Sequence, residues 1–328
     1  MLPSPRLPSR RQAALGLLSV GGFAAPASQA LAQAAPKDDA SPDEPSTQVD
    51  TGRDKFEHML APVTINGQGP FQFLMDTGAN VSCVSKAVAE RLMLATLPPT
   101  RVHTVVGVRE RPGVLIDRLQ VGERRRNGVR ATALVLGPEI DGVLGVDWLV
   151  GQRLEMGFRS RSLAITRSKQ DVAGEGVAVV PARRRYGQLT IVDADLGGRR
   201  INAMIDSGSQ MTICNAALRE MVSAQNLRRG TDDSLYRRVN LETLVGESFS
   251  GEMLYLPFMR LGGLHMGNVP VVYSEMHVFD VWGLRDKPAI VLGMDLLTQF
   301  DTVALDFGRS QVRFDLTPGL PTQTYQPV

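Results

Sequence analysis

"FQFLMDTGANVSCVS", residues 71–85, delivers Asp76 straight off the end of an apolar run that has the pattern of a buried strand. Moving an ionised carboxylate out of water is costly unless it is partnered or neutralised. The chain therefore needs a reason to carry Asp76 into a core, and that reason lies in a second copy of the same pattern. The stretch "PFQFLMDTGANVSCVSKAVAERLML" (70–94) aligns with "RINAMIDSGSQMTICNAALREMVSA" (200–224). Each reads as an apolar strand, Asp-(Thr/Ser)-Gly, a second short apolar strand, a cap residue (Ser85 or Asn215) and a helical segment. The two carboxylates stand 206 − 76 = 130 residues apart.

A second pair of segments keeps the register: "DGVLGVDWL" from Asp141 and "AIVLGMDLL" from Ala289. Here Val143-Leu144-Gly145 matches Val291-Leu292-Gly293, and Asp147 matches Asp295. The interval from Asp to Gly is 145 − 76 = 69 in the first copy and 293 − 206 = 87 in the second, so the second carries about 18 additional residues. The composition of 224–239 and 274–288 assigns them to loops there. A third Asp-Thr-Gly, Asp50-Thr51-Gly52, follows polar residues and has no apolar strand before it. Three letters without that context carry no weight.

The chain has 328 residues, 43% hydrophobic and 21% charged, enough apolar material for two cores. A net charge of +2 from 36 basic and 34 acidic residues provides no general attraction to nucleic acid or anionic membrane. The runs Arg124–Arg126 and Arg183–Arg185 lack interleaved aromatics and read as solvated turns. Four histidines, at 58, 103, 265 and 277, form no HExxH or other metal-ligand spacing, so no metal and no cofactor is expected. Cys83 and Cys214 sit in apolar strands and read as buried free thiols.

Residues 1–34 have the form of an export signal peptide: Arg10-Arg11, an apolar stretch, then small residues at Ala30, Ala32 and Ala34. The paired arginines suggest the twin-arginine route, and a bacterial periplasmic or secreted product. Residues 35–54, rich in Pro, Asp, Ser and Thr, read as a disordered linker. Two lobes, 55–166 and 176–317, follow, joined near Arg167–Gly176. No later run reaches the ~18 apolar residues of a membrane span.

Duplication implies a pseudo-twofold axis, which brings like surfaces together. Asp76 and Asp206 would meet on it, and two carboxyl groups in contact cannot both ionise cheaply. They would hold one proton between them, one acting as base toward water while the other polarises a carbonyl.

The motifs "LMDTGA", "MIDSGS", "GVLGVDWL" and "IVLGMDLL", in that order within each half, resemble those of the retropepsin-like aspartic peptidases in a bacterial, exported, two-lobed single-chain form. The resemblance implies a mostly β fold of two homologous retropepsin/pepsin-like β-barrel lobes with the active-site cleft between them. It implies Asp76 and Asp206 as catalytic, with Gly78 and Gly208 completing the turns, and Thr77 and Ser207 interlocking across the lobes. Leu144-Gly145 and Leu292-Gly293 would thread beneath the active loops. Ala79 follows the first motif as in retroviral-type enzymes and Ser209 the second as in pepsin-like ones. A hydroxyl bond from Ser209 to Asp206 would make Asp206 the base. Flaps would be hairpins at 104–116 and 242–254, with Val106, Gly107, Val245 and Gly246 against the substrate. The expected substrate is an extended polypeptide, cleaved by a site complete in a monomer. The alternative on the same fold is a catalytically silent peptide-binding or envelope assembly protein.

Overall fold

The computed structural model describes residues 44–54, 57–185, 187–191, 194–229 and 237–316, together with the backbone of two short strands, Ala14–Leu15 and Leu18–Ser19. Most of the leader and the linker up to residue 43 lie outside the described residues, as do 230–236 of the second-copy insertion.

The first lobe is built from the strand hairpin Met59–Ile65 and Gln68–Met75. Its turn places Asn66 at φ 51° and Gly67 at φ 83°, the two positive values that an Asn-Gly hairpin turn adopts. Gly107–Val121 pairs with both Met59–Ile65 and Arg124–Leu134, which curls the sheet into a barrel. Inward residues Met59, Ala61, Val63, Ile65, Phe73 and Leu119 are fully buried. The second lobe repeats the plan with the same register: Leu60 faces Leu74 in the first lobe, and Thr190 faces Met204 in the second. Both members are displaced by 130, since 190 − 60 = 130 and 204 − 74 = 130.

Beneath the lobes runs a six-stranded antiparallel stretch of sheet, in the order Thr47–Asp50, Ser162–Arg167, Gln152–Gly157, Phe300–Asp306, Gln311–Leu316, Val177–Arg185. Each half of the chain supplies three of these strands, and the halves join where Met156 faces Val303. Leu154, Met156, Ile165, Val303, Leu305, Val312 and Phe314 are fully buried there. One continuous apolar cluster thus spans both lobes, so their mutual orientation is fixed by burial rather than by a linker.

Three expectations need correction. The linker does not extend to residue 54: Thr47–Asp50 is the edge strand pairing with Ser162–Arg167, and it is the counterpart of the start of Val177–Arg185. Its polar composition hid it, because an edge strand needs a partner's backbone more than apolar side chains. Asp50 itself is exposed and takes no part in the site. Arg124–Arg126 is not a solvated turn. The strand's alternation turns Arg124 inward, fully buried on Glu44, and lays Arg126 over the Trp148 ring at 4.7 Å while bonding Glu44 at 2.8 Å. Burial and the neighbouring Arg126 charge lower Arg124 to about 10. Finally, 274–288 is not all loop: His277–Val281 is a helix that buries Val278 and Phe279, with Trp282 following. The first inserted segment begins inside the helix Ala216–Arg229, which is longer than its counterpart Lys86–Arg91.

The Phe300 and Phe314 rings meet at 4.8 Å under the junction. Phe314→Ala should cost about 3–5 kcal/mol in denaturant unfolding, the cost of emptying a closed aromatic site.

Candidate active site at the lobe junction

Each motif strand ends on the strand that threads beneath it. The Asp76 N–H donates to the Leu144 carbonyl at 3.0 Å and the Asp206 N–H to the Leu292 carbonyl at 3.0 Å. Gly145 and Gly293 have no room for a side chain, because a Cβ would lie 2.8 Å from the Ala79 carbonyl oxygen or collide with the Met211 backbone. A buried hydroxyl bonded to a half-buried carboxyl locks each underpass. Ser82 Oγ donates to Asp147 at 2.8 Å and accepts from Gly145 N–H at 3.1 Å, while Thr212 Oγ1 does the same with Asp295 at 2.7 Å and Gly293 at 3.1 Å.

The two loops are then tied to one another. Thr77 Oγ1 donates to the Ile205 carbonyl at 3.0 Å and accepts from Ser207 N–H at 3.0 Å. Ser207 Oγ donates to the Met75 carbonyl at 2.7 Å and accepts from Thr77 N–H at 3.1 Å. Four reciprocal bonds in a buried site leave each loop little freedom to move without the other. The glycines permit the approach: a Cβ on Gly78 would stand 2.5 Å from the Asp206 carboxyl carbon, and one on Gly208 would collide with the Asp76 carboxyl.

Asp76 and Asp206 are 0% and 1% exposed, and each carboxyl lies against the glycine of the opposite loop, so that the two acids face one another across the axis. Asp76 Oδ1 accepts from Gly78 N–H at 2.7 Å and Ala79 N–H at 2.9 Å, and Asp206 Oδ1 accepts from Gly208 N–H at 2.8 Å. Burial, then the charge of Asp206, hold the Asp76 carboxyl well above the ordinary carboxylate range. Burial raises Asp206 only to about 6, because the proton on Asp76, the Gly208 N–H and the charge of His58 favour its ionised form. Two acids that interact this strongly titrate as a pair. The Ser209 hydroxyl does not produce this asymmetry. It donates to the Met211 carbonyl at 2.7 Å, turned away from Asp206 by its own chain, and only its backbone N–H adds to the carboxylate's stabilisation.

The sequence model of the aspartyl protease family matches residues 61–148 and again 192–296. The chain belongs to the aspartyl protease family. Its retropepsin-like, two-lobed form is carried by that double match. A comparison with curated protein sequences finds no match.

In this aspartyl protease the flap hairpins are Ala95–Thr104 with Gly107–Val121, and Arg237–Thr243 with Ser248–Leu261. Their tips cross the axis. Val105 of the first flap is buried in the second lobe's cluster with Met211, Met276 and Phe279, and Leu244 of the second is buried with Leu74, Ala79 and Val143 of the first lobe. Val245 packs beside Leu244, whereas Val106 is exposed; Gly107 and Gly246 hold the positive φ values of the turns. Glu247 links the tips, accepting from Thr104 Oγ1 at 2.9 Å and pairing with Arg109 at 3.5 Å. His103 stacks on His277 at the same seam, with Nδ1 and Nε2 3.2 Å apart. Sequence periodicity could not show which lobe a tip enters, nor single out Glu247, His103 and His277.

Among the described residues no helix is long and apolar enough to cross a membrane. Cys83 and Cys214 are buried free thiols, driven far above their ordinary range by burial.

Two outcomes follow from this geometry. The raised Asp206 carboxyl contributes stability that is fully present below about pH 3.8 and lost as pH rises through about 6. Asp206→Asn should therefore unfold about 2 kcal/mol later than the unsubstituted protein at pH 7.5, and this advantage should vanish below pH ~4. Glu247→Ala frees both flap contacts, so amide exchange at Val106 and Gly107 should quicken about tenfold, as expected for loss of one charge-assisted hydrogen bond.

Proposed function

We propose that the protein is an aspartic endopeptidase that hydrolyses peptide bonds of extended polypeptide segments with water held between Asp76 and Asp206. The observation that carries this reading is the pair of buried carboxyl groups facing one another across the junction, on loops interlocked by Thr77 and Ser207. Asp206, the more readily ionised member, takes a proton from water as that water adds to the scissile carbonyl. Asp76, carrying the shared proton, donates to the carbonyl oxygen. Collapse of the tetrahedral adduct returns a proton to the leaving amine, giving two chains and restoring one proton to the pair. Neither a cofactor nor a second chain is required in this scheme, because each half supplies one acid.

The mode of substrate binding is strand addition at the flaps. Supporting it, the chain's own backbone does this. Ala14–Leu15 runs parallel to Glu242–Thr243 of one flap and Leu18–Ser19 antiparallel to His103–Thr104 of the other. Buried tips at Val105 and Leu244 mean that the flaps part to admit a chain and close to exclude water. In this reading the protein works in the periplasm or outside the cell after export by the twin-arginine route, a reading supported by Arg10-Arg11 and the apolar stretch that follows them in the sequence.

Purified protein incubated with a mixed peptide pool at pH 5 to 8 should cleave it. Asp76→Asn and Asp206→Asn should each lower kcat by about 10³-fold or more, and the unsubstituted enzyme should lose activity as pH falls through about 6, where Asp206 takes up a second proton. Peptide retained without cleavage would assign a silent binding protein. Neither binding nor cleavage would point to an assembly role at the flap surface.

A further inference from the structure

The duplication extends one step beyond the two motifs. His58 precedes Asp76 by 76 − 58 = 18 residues and Gln188 precedes Asp206 by 206 − 188 = 18. Each stands at the start of a strand that holds the same register against its motif strand, so the two side chains occupy equivalent places on either side of the axis. Gln188, 1% exposed, reaches across the junction, and its Nε2 donates to the carbonyl oxygen of Gly78 in the opposite lobe. That is the glycine whose N–H holds Asp76 Oδ1 at 2.7 Å and whose Cα faces the Asp206 carboxyl.

His58, fully buried, is the matching side chain from the first lobe. Asp54 fixes its ring twice over: Oδ2 lies 2.8 Å from Nδ1, and Oδ1 accepts the His58 backbone N–H at 3.0 Å. By the register of the duplication, the motif loop of the opposite lobe is to His58 what the Gly78 loop is to Gln188. The charge of His58 acts on Asp206 there and favours its ionised form. An amide on one side and an imidazole on the other is the difference between the two halves that adds an ionisable group. Asp54, from the turn before Met59–Ile65, is the charged group bonded to the ring, and Asp206 of the opposite lobe is the acid on which its charge acts; the flanking Arg53 and Glu57 pair with one another at 2.6 Å.

We propose that His58, oriented by Asp54, is the positioning residue of the Asp206 loop, as Gln188 is of the Asp76 loop, and that this difference assigns the base role to Asp206. The inference rests on the peptidase reading for its catalytic meaning. The placement and the charge effect do not depend on turnover.

The test is the titration of the Asp206 carboxyl carbon by ¹³C NMR in the full chain, alongside the pH profile of kcat/KM. His58→Gln makes the two sides alike, keeping a hydrogen-bonding amide and removing the ionisable ring. The Asp206 titration and the acid limb of kcat/KM should both move up by about one pH unit, the size expected for losing a nearby positive charge. Asp54→Asn, which leaves the ring unanchored, should move both in the same direction by less, and serves if His58→Gln does not fold. Gln188→His should shrink the difference between the two aspartates. An Asp206 titration that stays in place in both His58→Gln and Asp54→Asn overturns the proposal, even with peptide cleavage intact. A shifted titration in a protein that cleaves no peptide upholds the positioning role and removes the peptidase reading instead.

Discussion

Two carboxyl groups, buried to within a percent of full exclusion from water and facing each other across one junction, are tolerable only while they do not both ionise. That condition governs the surrounding structure. The acids must come close enough to share, which requires glycine at 78 and 208, because any side chain there would run into the opposite carboxyl. They must also stay close, which the Thr77 and Ser207 hydroxyls secure by exchanging bonds with the opposite loop. Below them the Leu144-Gly145 and Leu292-Gly293 underpasses hold each loop from beneath, each clamped by a buried hydroxyl and a half-buried acid.

Such a site is held at a cost. Desolvation raises Asp76, Asp206, Asp147 and Asp295 above the ordinary carboxylate range, so the folded protein carries several acids that favour the protonated form. Stability to offset this comes from the continuous apolar cluster across both lobes and from the six-stranded sheet that joins them. The same sheet sets the lobes' orientation, and therefore the distance between the acids. A rigid floor contrasts with the roof, where flap tips meet through one glutamate and two stacked rings. A cavity of about 550 Å³ lined by Asn215, Glu220, Met276, His277 and Asp280 belongs to the second lobe alone and holds neither acid.

Much of the site was legible in the chain because its constraints are local and repeated. An apolar strand ending in Asp-(Thr/Ser)-Gly, then an apolar-apolar-Gly segment, appears twice in order, and the interval of 130 residues pairs each position with its counterpart. The Asn66-Gly67 turn and the Ser85 cap, whose Oγ accepts the Val88 N–H at 3.2 Å, are likewise local chemistry. Position 209 marks where local reading stopped working. A serine after Asp-Ser-Gly has two acceptors within reach, the carboxylate and the Met211 carbonyl, and only the path of the folded loop decides between them.

By itself, then, the order of residues settled a duplicated, mostly β chain with two matched acids, since strand period, turn residues and repeat spacing are properties of neighbouring positions. Tertiary structure alone decided that Thr47–Asp50 joins a sheet shared by both halves, that Arg124 is buried on Glu44, that each flap tip enters the opposite lobe, and that Gln188 reaches the Gly78 carbonyl of the other loop. All of these are contacts between segments tens of residues or more apart. Their energies depend on which surfaces the closed fold presents to one another, and hydrophobic period along a single chain carries no record of that.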